Sequence, residues 1–212
     1  GEEASVMAFV DGDDLLVGHD RRDLRPERSL DALYLAPLWE RFRRYGHIHP
    51  EPAPVTLLVD IKSESDRVLP LLERALAPYR PMLTRWRDHR AHPGAVTVIL
   101  SGDRPIARVA ASRERWVALD GRPDDLGKGH PAGLFPLVSQ SWFSLFRWTG
   151  VGPMSREDRE RLAELVARAH GEGRRVRFWG ARDTPALWKV QRAAGVDLIN
   201  TDRLADLAAF LR

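Results

Sequence analysis

The chain has 212 residues, 43% hydrophobic and 30% charged, a globular composition long enough to bury a full core. It lacks cysteine, which excludes a disulfide scaffold, a thiolate zinc site and a cysteine nucleophile. No apolar run approaches the roughly 18 residues of a membrane span, and no secretory apolar segment is present. The net charge is +3, yet residues 1–20 hold Glu2, Glu3, Asp11, Asp13, Asp14 and Asp20 and no Lys or Arg, so the positive charge lies further on. A pI near 9.7 permits contact with a polyanion or an anionic membrane without demanding it.

Taken in chain order, Ala4–Val10 is predicted as a short strand, Asp11-Gly12-Asp13 as a turn and Leu15–Val17 as a second strand-like piece. Leu30–Phe42 reads as helix. Val55–Ile61 is a near-continuous apolar run, the pattern of a strand buried on both faces. Asp66–Leu76 follows as a helix with Val68, Leu69, Leu72 and Leu76 on one side. Val96–Leu100 is a strand, Pro105–Ser112 a short helix, and Trp116–Leu119 and Pro136–Ser139 two further strands. Ser155 caps a helix whose stripe is Leu162, Leu165, Val166 and Ala169. Val176–Trp179 is a strand. Thr184-Pro185 opens the next helix and Gly195 closes it. Val196–Asn200 is the last strand, and Leu204, Leu207, Ala208 and Leu211 line the last helix.

The alternation predicts an α/β protein with a parallel sheet in a single domain, 1–212, with the Pro-rich stretch His47–Pro54 as a loop. Seven parallel strands are counted, one short of a closed (β/α) barrel. An open doubly wound sheet needs no missing unit, but no Gly-rich phosphate loop follows any strand.

Polar residues at carboxyl strand ends are the candidates for chemistry. Asp60 and Lys62 lie two apart, so both project from one face of a strand. A carboxylate there can hold a hard cation, and an ammonium can neutralise a phosphate oxygen. The same spacing also suits a structural ion pair. Ser101, Asp103, Asp120, Ser139, Gln140, Trp179, Asn200 and Asp202 stand at the ends of later strands. The aromatic stretch Ser141–Trp148 reads either as a lid or lipid contact or, preferably, as packing onto neighbouring helices. The Arg-rich stretches at 21–28, 41–44 and 85–90 read as solvated faces and loops. His47, His49, His89, His92, His130 and His170 read as solvated side chains in loops or at helix ends.

The segment GEEASVMAFVDGDDLLVGHD resembles the Glu-x-Asp strand and His-Asp turn of the glycerophosphodiester phosphodiesterase superfamily. LLVDIK resembles its acidic-x-Lys strand, VRFWG its penultimate strand, and GVDLINTDRLADL its closing strand and helix. HDRRDLRPERSLDALYLAPL is closer still to the phosphatidylinositol phospholipase C-like branch related to the altered-inheritance-of-mitochondria proteins. The resemblance implies a TIM-type barrel, here without its first strand–helix unit, that cleaves phosphodiesters of glycerol or of phospholipid headgroups with Mg²⁺ or Ca²⁺. It implies Glu3 and Asp60 as metal ligands, His19 as acid/base, Lys62 on the phosphate and Trp179 as a pocket wall. Asn200 is a polar floor, and Ser139 and Asp120 complete the substrate contacts. Two departures stand out. Ser5 occupies the place of the second acid of Glu-x-Asp, and the superfamily's other histidine would precede Gly1.

The resulting expectation is a fragment or degenerate copy whose edge strands are covered by a removed segment, a partner chain or a rearranged first strand. An inactive barrel that binds a phosphorylated ligand is the alternative. A nucleic-acid-binding module would rest on charge alone and is not expected. The resemblance also suggests an exported or periplasmic bacterial protein, with a cytoplasmic one as the alternative.

Overall fold

The computed structural model describes residues 2–49 and 54–212, with side chains described from Val6 onward. The chain gathers into two compact units, Gly1–Leu119 and Asp120–Arg212.

The first unit runs β1 (Glu2–Asp11), β2 (Asp14–Val17), α1 (Ala36–Tyr45), β3 (Val55–Ile61), α2 (Ser65–Leu76), β4 (Arg85–Arg87), β5 (Arg90–His92), β6 (Val96–Gly102), α3 (Ile106–Ala111), β7 (Glu114–Arg115) and the start of β8 (Val117–Gly121). β3 is its centre, paired in parallel with β1 on one side and β6 on the other, and β6 pairs in parallel with Val117–Leu119. Leu57, Val59 and Ile61 are fully buried, as the unbroken apolar run requires of a strand covered on both faces. β2 folds back antiparallel on β1 through a two-residue loop, where Gly12 adopts φ 59°. The edge of β1 that was expected to need a covering segment is thus paired over Ala8–Asp11 by β2 itself. β2 is met in turn by Arg28, whose carbonyl accepts from Val17 N at 2.8 Å.

The predicted stripe of α2, Val68, Leu69, Leu72 and Leu76, is buried. Pro70 sits inside this helix and has no N–H to offer the Asp66 carbonyl. Arg108, from α3, donates Nη1 to that carbonyl at 2.9 Å and takes the place of the missing bond. A small antiparallel sheet, β5–β4–β7, was not foreseen. Its hairpin turns on Asp88 and His89, both with positive φ (47° and 62°), a two-residue turn of the kind that favours Asn-Gly. The 85–90 segment is thus a hairpin, and His92 lies in β5 and not in a loop. Trp86 is buried in this sheet with the Arg115 guanidinium over its ring at 5.1 Å, and burial lowers Arg115 to about 10.

The second unit holds the end of β8, β9 (Leu137–Ser141), α4 (Trp142–Leu145), α5 (Arg156–Gly171), β10 (Arg175–Trp179), α6 (Pro185–Ala193), β11 (Leu198–Ile199) and α7 (Leu204–Leu211). β8 to β11 pair in parallel in sequence order. With β1, β3 and β6 they make seven parallel strands among the described residues, so the α/β class read from the sequence holds. Both predicted caps form: Ser155 Oγ accepts from Asp158 N at 3.1 Å, and Thr184 Oγ1 accepts from Leu187 N at 3.3 Å. Val138, Val176 and Phe178 point into an apolar core with Leu162, Val166 and Leu187.

The aromatic stretch belongs to that core. Trp142 and Phe146 are buried, with ring centroids 4.6 Å apart, and Trp142 meets Phe178 edge-on at 5.6 Å. The packing reading holds for this pair, while Phe143 remains exposed. His170, expected to be solvated, instead pairs with Asp197 at 2.8 Å, and Asp197 also accepts from Val176 N. Among the described residues, no helix is long and apolar enough to cross a membrane.

Candidate functional site

In the first unit the carboxyl ends of the strands carry the polar groups. Lys62 Nζ donates to Asp60 Oδ2 at 2.6 Å, with the two side chains 37% and 24% exposed. At that exposure the pair contributes at most about 1 kcal/mol to stability, so the fold does not depend on it. Asp60 is level with Ser101 on β6, and Ile61 with Gly102. Gly102 has φ 73°, and a Cβ there would collide with Ile61 O and Asp60 Oδ1. Glycine is what lets the β6 end lie against Asp60. Just beyond, Asp103 Oδ2 accepts from Ser65 N at 3.1 Å and so satisfies the first N–H of α2.

The His19 loop lies over the same end. Gly18 N donates to Met7 O at 3.3 Å, continuing the β1–β2 register, and Met7 is the strand partner of Asp60. Asp60, Met7 and Gly18 thus form one row across adjacent strands spaced about 4.8 Å apart, with Cβ directions on one face. A Cβ on Gly18 would meet Leu24 Cδ2 at 3.1 Å and Asp23 Cβ at 3.4 Å, so residues 20–24 fold over that row. Arg21 ties the loop to Glu64, just after β3, at 3.6 Å. Within it, His19 Nδ1 lies 3.3 Å from Asp20 Oδ2, and Asp20 N donates to Asp23 Oδ2 at 3.0 Å. Asp60 and Lys62 share this strand end, and His19, 79% exposed in its side chain, follows Gly18 of the same row, with Asp20 as its partner.

Glu3 is a different matter. Its side chain and that of Ser5 lie outside the described residues, but the β1–β3 register sets Glu3 opposite Thr56 and Ser5 opposite Leu58. Four residues separate Glu3 from the row of Asp60, about 13 Å along the strand. The register thus does not bring Glu3 and Asp60 level as a ligand pair. Asp60 alone, already engaged by Lys62, falls well short of the six to eight oxygens that Ca²⁺ takes. Donor atoms of His19, Asp20 and Asp23 do lie within 4.8 Å of one another, but Arg22 Nη2 stands 3.3 Å from Asp20 Oδ2 and competes with any cation.

A groove of about 590 Å³ in this unit is lined by Leu33, Tyr34, Pro37 and Leu38 near the amino end of β3. It stands away from the Asp60 row, since Val55 and Leu57 are the strand residues it reaches.

In the second unit, Asp120 is fully buried at the end of β8. Ser139 Oγ donates to Asp120 Oδ2 at 2.5 Å, and Arg122 Nη1 donates to the same oxygen at 2.6 Å. Two of the sequence candidates, Asp120 and Ser139, are thereby joined directly, with Arg122, which sequence reasoning passed over, on the same oxygen. The available signal was the Asp-x-Arg spacing at a strand end. Trp179 is 44% exposed at the end of β10, and Asn200 is half-buried just past β11.

This is a phosphodiesterase-type α/β chain with its polar groups at carboxyl strand ends. A model of the AIM6-like phosphodiesterase domain matches residues 1–120, and one of the glycerophosphoryl diester phosphodiesterase family matches residues 175–205. The chain belongs to the AIM6-like phosphodiesterase family. It is 27% identical over 225 residues to an altered inheritance of mitochondria protein 6 homolog of Arthroderma benhamiae, spanning 94% of this chain and 71% of that one. It is 28% identical to altered inheritance of mitochondria protein 6 of Eremothecium gossypii, spanning 98% of this chain and 62% of that one. The corresponding figures for the Zygosaccharomyces rouxii protein of the same name are 27%, 92% and 57%. The chain thus spans about three-fifths of the length of the last two relatives. These relatives are fungal and point to a eukaryotic protein, which overturns the expectation of an exported bacterial one.

Proposed function

We propose that this chain cleaves a phosphodiester of the glycerophosphodiester or phospholipid-headgroup class, on an incomplete TIM-type barrel, with His19 as the proton-transfer group. The observation that supports the reading is the Asp60–Lys62 pair at the strand end whose row includes Gly18, the neighbour of His19, in a chain of a phosphodiesterase family. With Nδ1–H turned to Asp20, the basic nitrogen of His19 is Nε2, free to take the proton of an attacking hydroxyl and return it to the leaving oxygen. Lys62, oriented by Asp60, offers its ammonium to a non-bridging phosphoryl oxygen, where charge builds as the bond to the nucleophile forms.

Mg²⁺ or Ca²⁺ enters the proposal only as an ion that Asp60 would help to hold, and Asp60 alone is too small a ligand set for it. Such an ion would polarise the phosphoryl group, and the proton transfers above are made by the chain's own residues.

A second reading, binding of a phosphorylated ligand without turnover, is favoured by one observation: Lys62 already occupies an oxygen of the carboxylate that would hold the cation. Hydrolysis of bis(p-nitrophenyl) phosphate and of glycerophosphocholine, with and without Mg²⁺ or Ca²⁺, separates the two. The catalytic reading expects turnover that His19→Ala abolishes. Equal background rates in both proteins refute it.

A further inference from the structure

We propose that the small sheet β5–β4–β7 is a docking surface for an acidic, extended peptide segment. The peptide adds as a strand along β5 and sets its carboxylates against Arg90 and Arg87.

Register sets Arg87 directly opposite Arg90, and Arg85 opposite His92. Alternation puts these four side chains on one face, while Trp86 turns to the other and is buried. Like charges directly opposite one another destabilise a strand pair. The turn between them also runs against local preference, since Asp88 and His89 both hold positive φ without a glycine. The hairpin is kept by Trp86 and by pairing with β7, and it displays two arginines without which it would be more stable. The acids of this sheet do not answer that charge. Glu114, opposite Arg87 in register, lies 3.4 Å from Arg85 Nη1, and Asp88 lies 3.3 Å from Arg113 Nε. Among the described residues no acid pairs with Arg87 or Arg90, and both are exposed. Guarding the edge against aggregation would take a charge on β5 alone and gives no reason for Arg87 opposite it.

The strand edge selects the partner. A two-residue turn makes Arg87 and Arg90 the hydrogen-bonded pair, so the next pair, Trp86 and Ala91, points its N–H and C=O groups away from each other. Those of Trp86 meet β7, where Arg115 is its register partner. Those of Ala91 face outward, and among the described residues no strand lies beyond β5. An extended peptide laid there takes the Ala91 donor and acceptor and places alternate side chains beside Arg90 and His92. Carboxylates at those positions supply the missing counter-charge. A nucleic acid or an anionic bilayer uses no strand edge and would meet Glu114 on the same face. The surface lies wholly in the first unit and stands whether or not the chain hydrolyses phosphodiesters.

The test is an NMR titration of the full chain with the peptide acetyl-Glu-Val-Glu-Val-Glu-amide. Saturable shifts of the Arg90, Ala91 and His92 amides are expected, with affinity about two- to fivefold lower in Arg90→Gln. Arg90→Gln should at the same time unfold at a higher urea concentration, because it removes the like-charge pair. In Ala91→Pro the lost N–H points outward, so β4–β5 pairing survives and both arginines stay, while strand addition is blocked. Shifts at Arg90 and His92 in that variant should fall to those given by the matching Gln-Val-Gln-Val-Gln peptide. Absence of binding in the wild type, or unchanged affinity in Arg90→Gln, overturns the proposal. Full binding by Ala91→Pro overturns it too, since the contact would then be one of charge alone. A single-stranded oligonucleotide, or vesicles of phosphatidylcholine with phosphatidylserine, that shifts these amides where the peptide does not assigns the surface to that ligand and overturns it as well.

Discussion

Gly102→Ala tests whether the β6 end and Asp60 depend on each other. Gly102 sits at φ 73°, where an L-residue costs about 1–2 kcal/mol. The added Cβ also meets Ile61 O, a backbone atom that cannot swing aside, and Asp60 Oδ1. Overpacking of this kind costs about 1–3 kcal/mol more as strand and side chain shift. Gly12→Ala is the matched control, because Gly12 has φ 59° with nothing within 4 Å of the added Cβ. It should lose only the conformational part. Urea denaturation of both variants is expected to place Gly102→Ala about 1–3 kcal/mol below Gly12→Ala. The displaced Asp60 should also release Lys62, so phosphodiester turnover or ligand binding at this end should fall in Gly102→Ala and stay unchanged in Gly12→Ala. Equal stability losses in the two variants would refute the close approach on which the placement of Asp60 rests.

Two further predictions concern packing and titration. Trp142→Ala, which empties the fully buried centre of the Trp142–Phe146–Phe178 cluster, should cost about 3–5 kcal/mol in the same urea assay. An exposed lid would lose almost nothing on the same change. Tyr79, whose hydroxyl donates to Asp31 Oδ1 at 2.6 Å, is pushed up to about 12 from its ordinary 10.0 by that hydrogen bond, with burial and the Asp31 charge adding to it. The folded state holds this proton more tightly than the unfolded state. The stabilisation is therefore whole below pH 10.0 and is lost as pH rises through about 12. Absorbance titration of the phenolate should show Tyr79 ionising late, and Asp31→Asn should bring it back toward the ordinary value.

What the sequence disclosed and what it hid have separate physical causes. Val55–Ile61 announced itself because a strand with sheet neighbours on both sides and layers on both faces must be apolar throughout. The stripes of α2 and α5 were legible because one buried helix face imposes its own period. The β4–β5 hairpin was not, since its turn uses Asp88-His89 and three of its six strand residues are arginines. There the strands are held by pairing with β7 and by one buried Trp86, and not by alternation. Register was also hidden. Glu3 and Asp60 look like partners when motifs are laid side by side, but strand pairing sets Met7 and not Glu3 beside Asp60.

Arg122 escaped notice for a different reason. In a chain with 33 Lys and Arg, one more arginine carries little information, and only the buried carboxylate of Asp120 distinguishes it from the rest. A carboxylate with no exposure must be matched by donors, and Ser139 and Arg122 supply them. The need to satisfy Asp120 is thus what fixes Arg122 in place. The informative pair in this half of the chain was therefore a hidden acid and its cation, two residues apart at a strand end, and their meaning depended on burial that composition does not reveal.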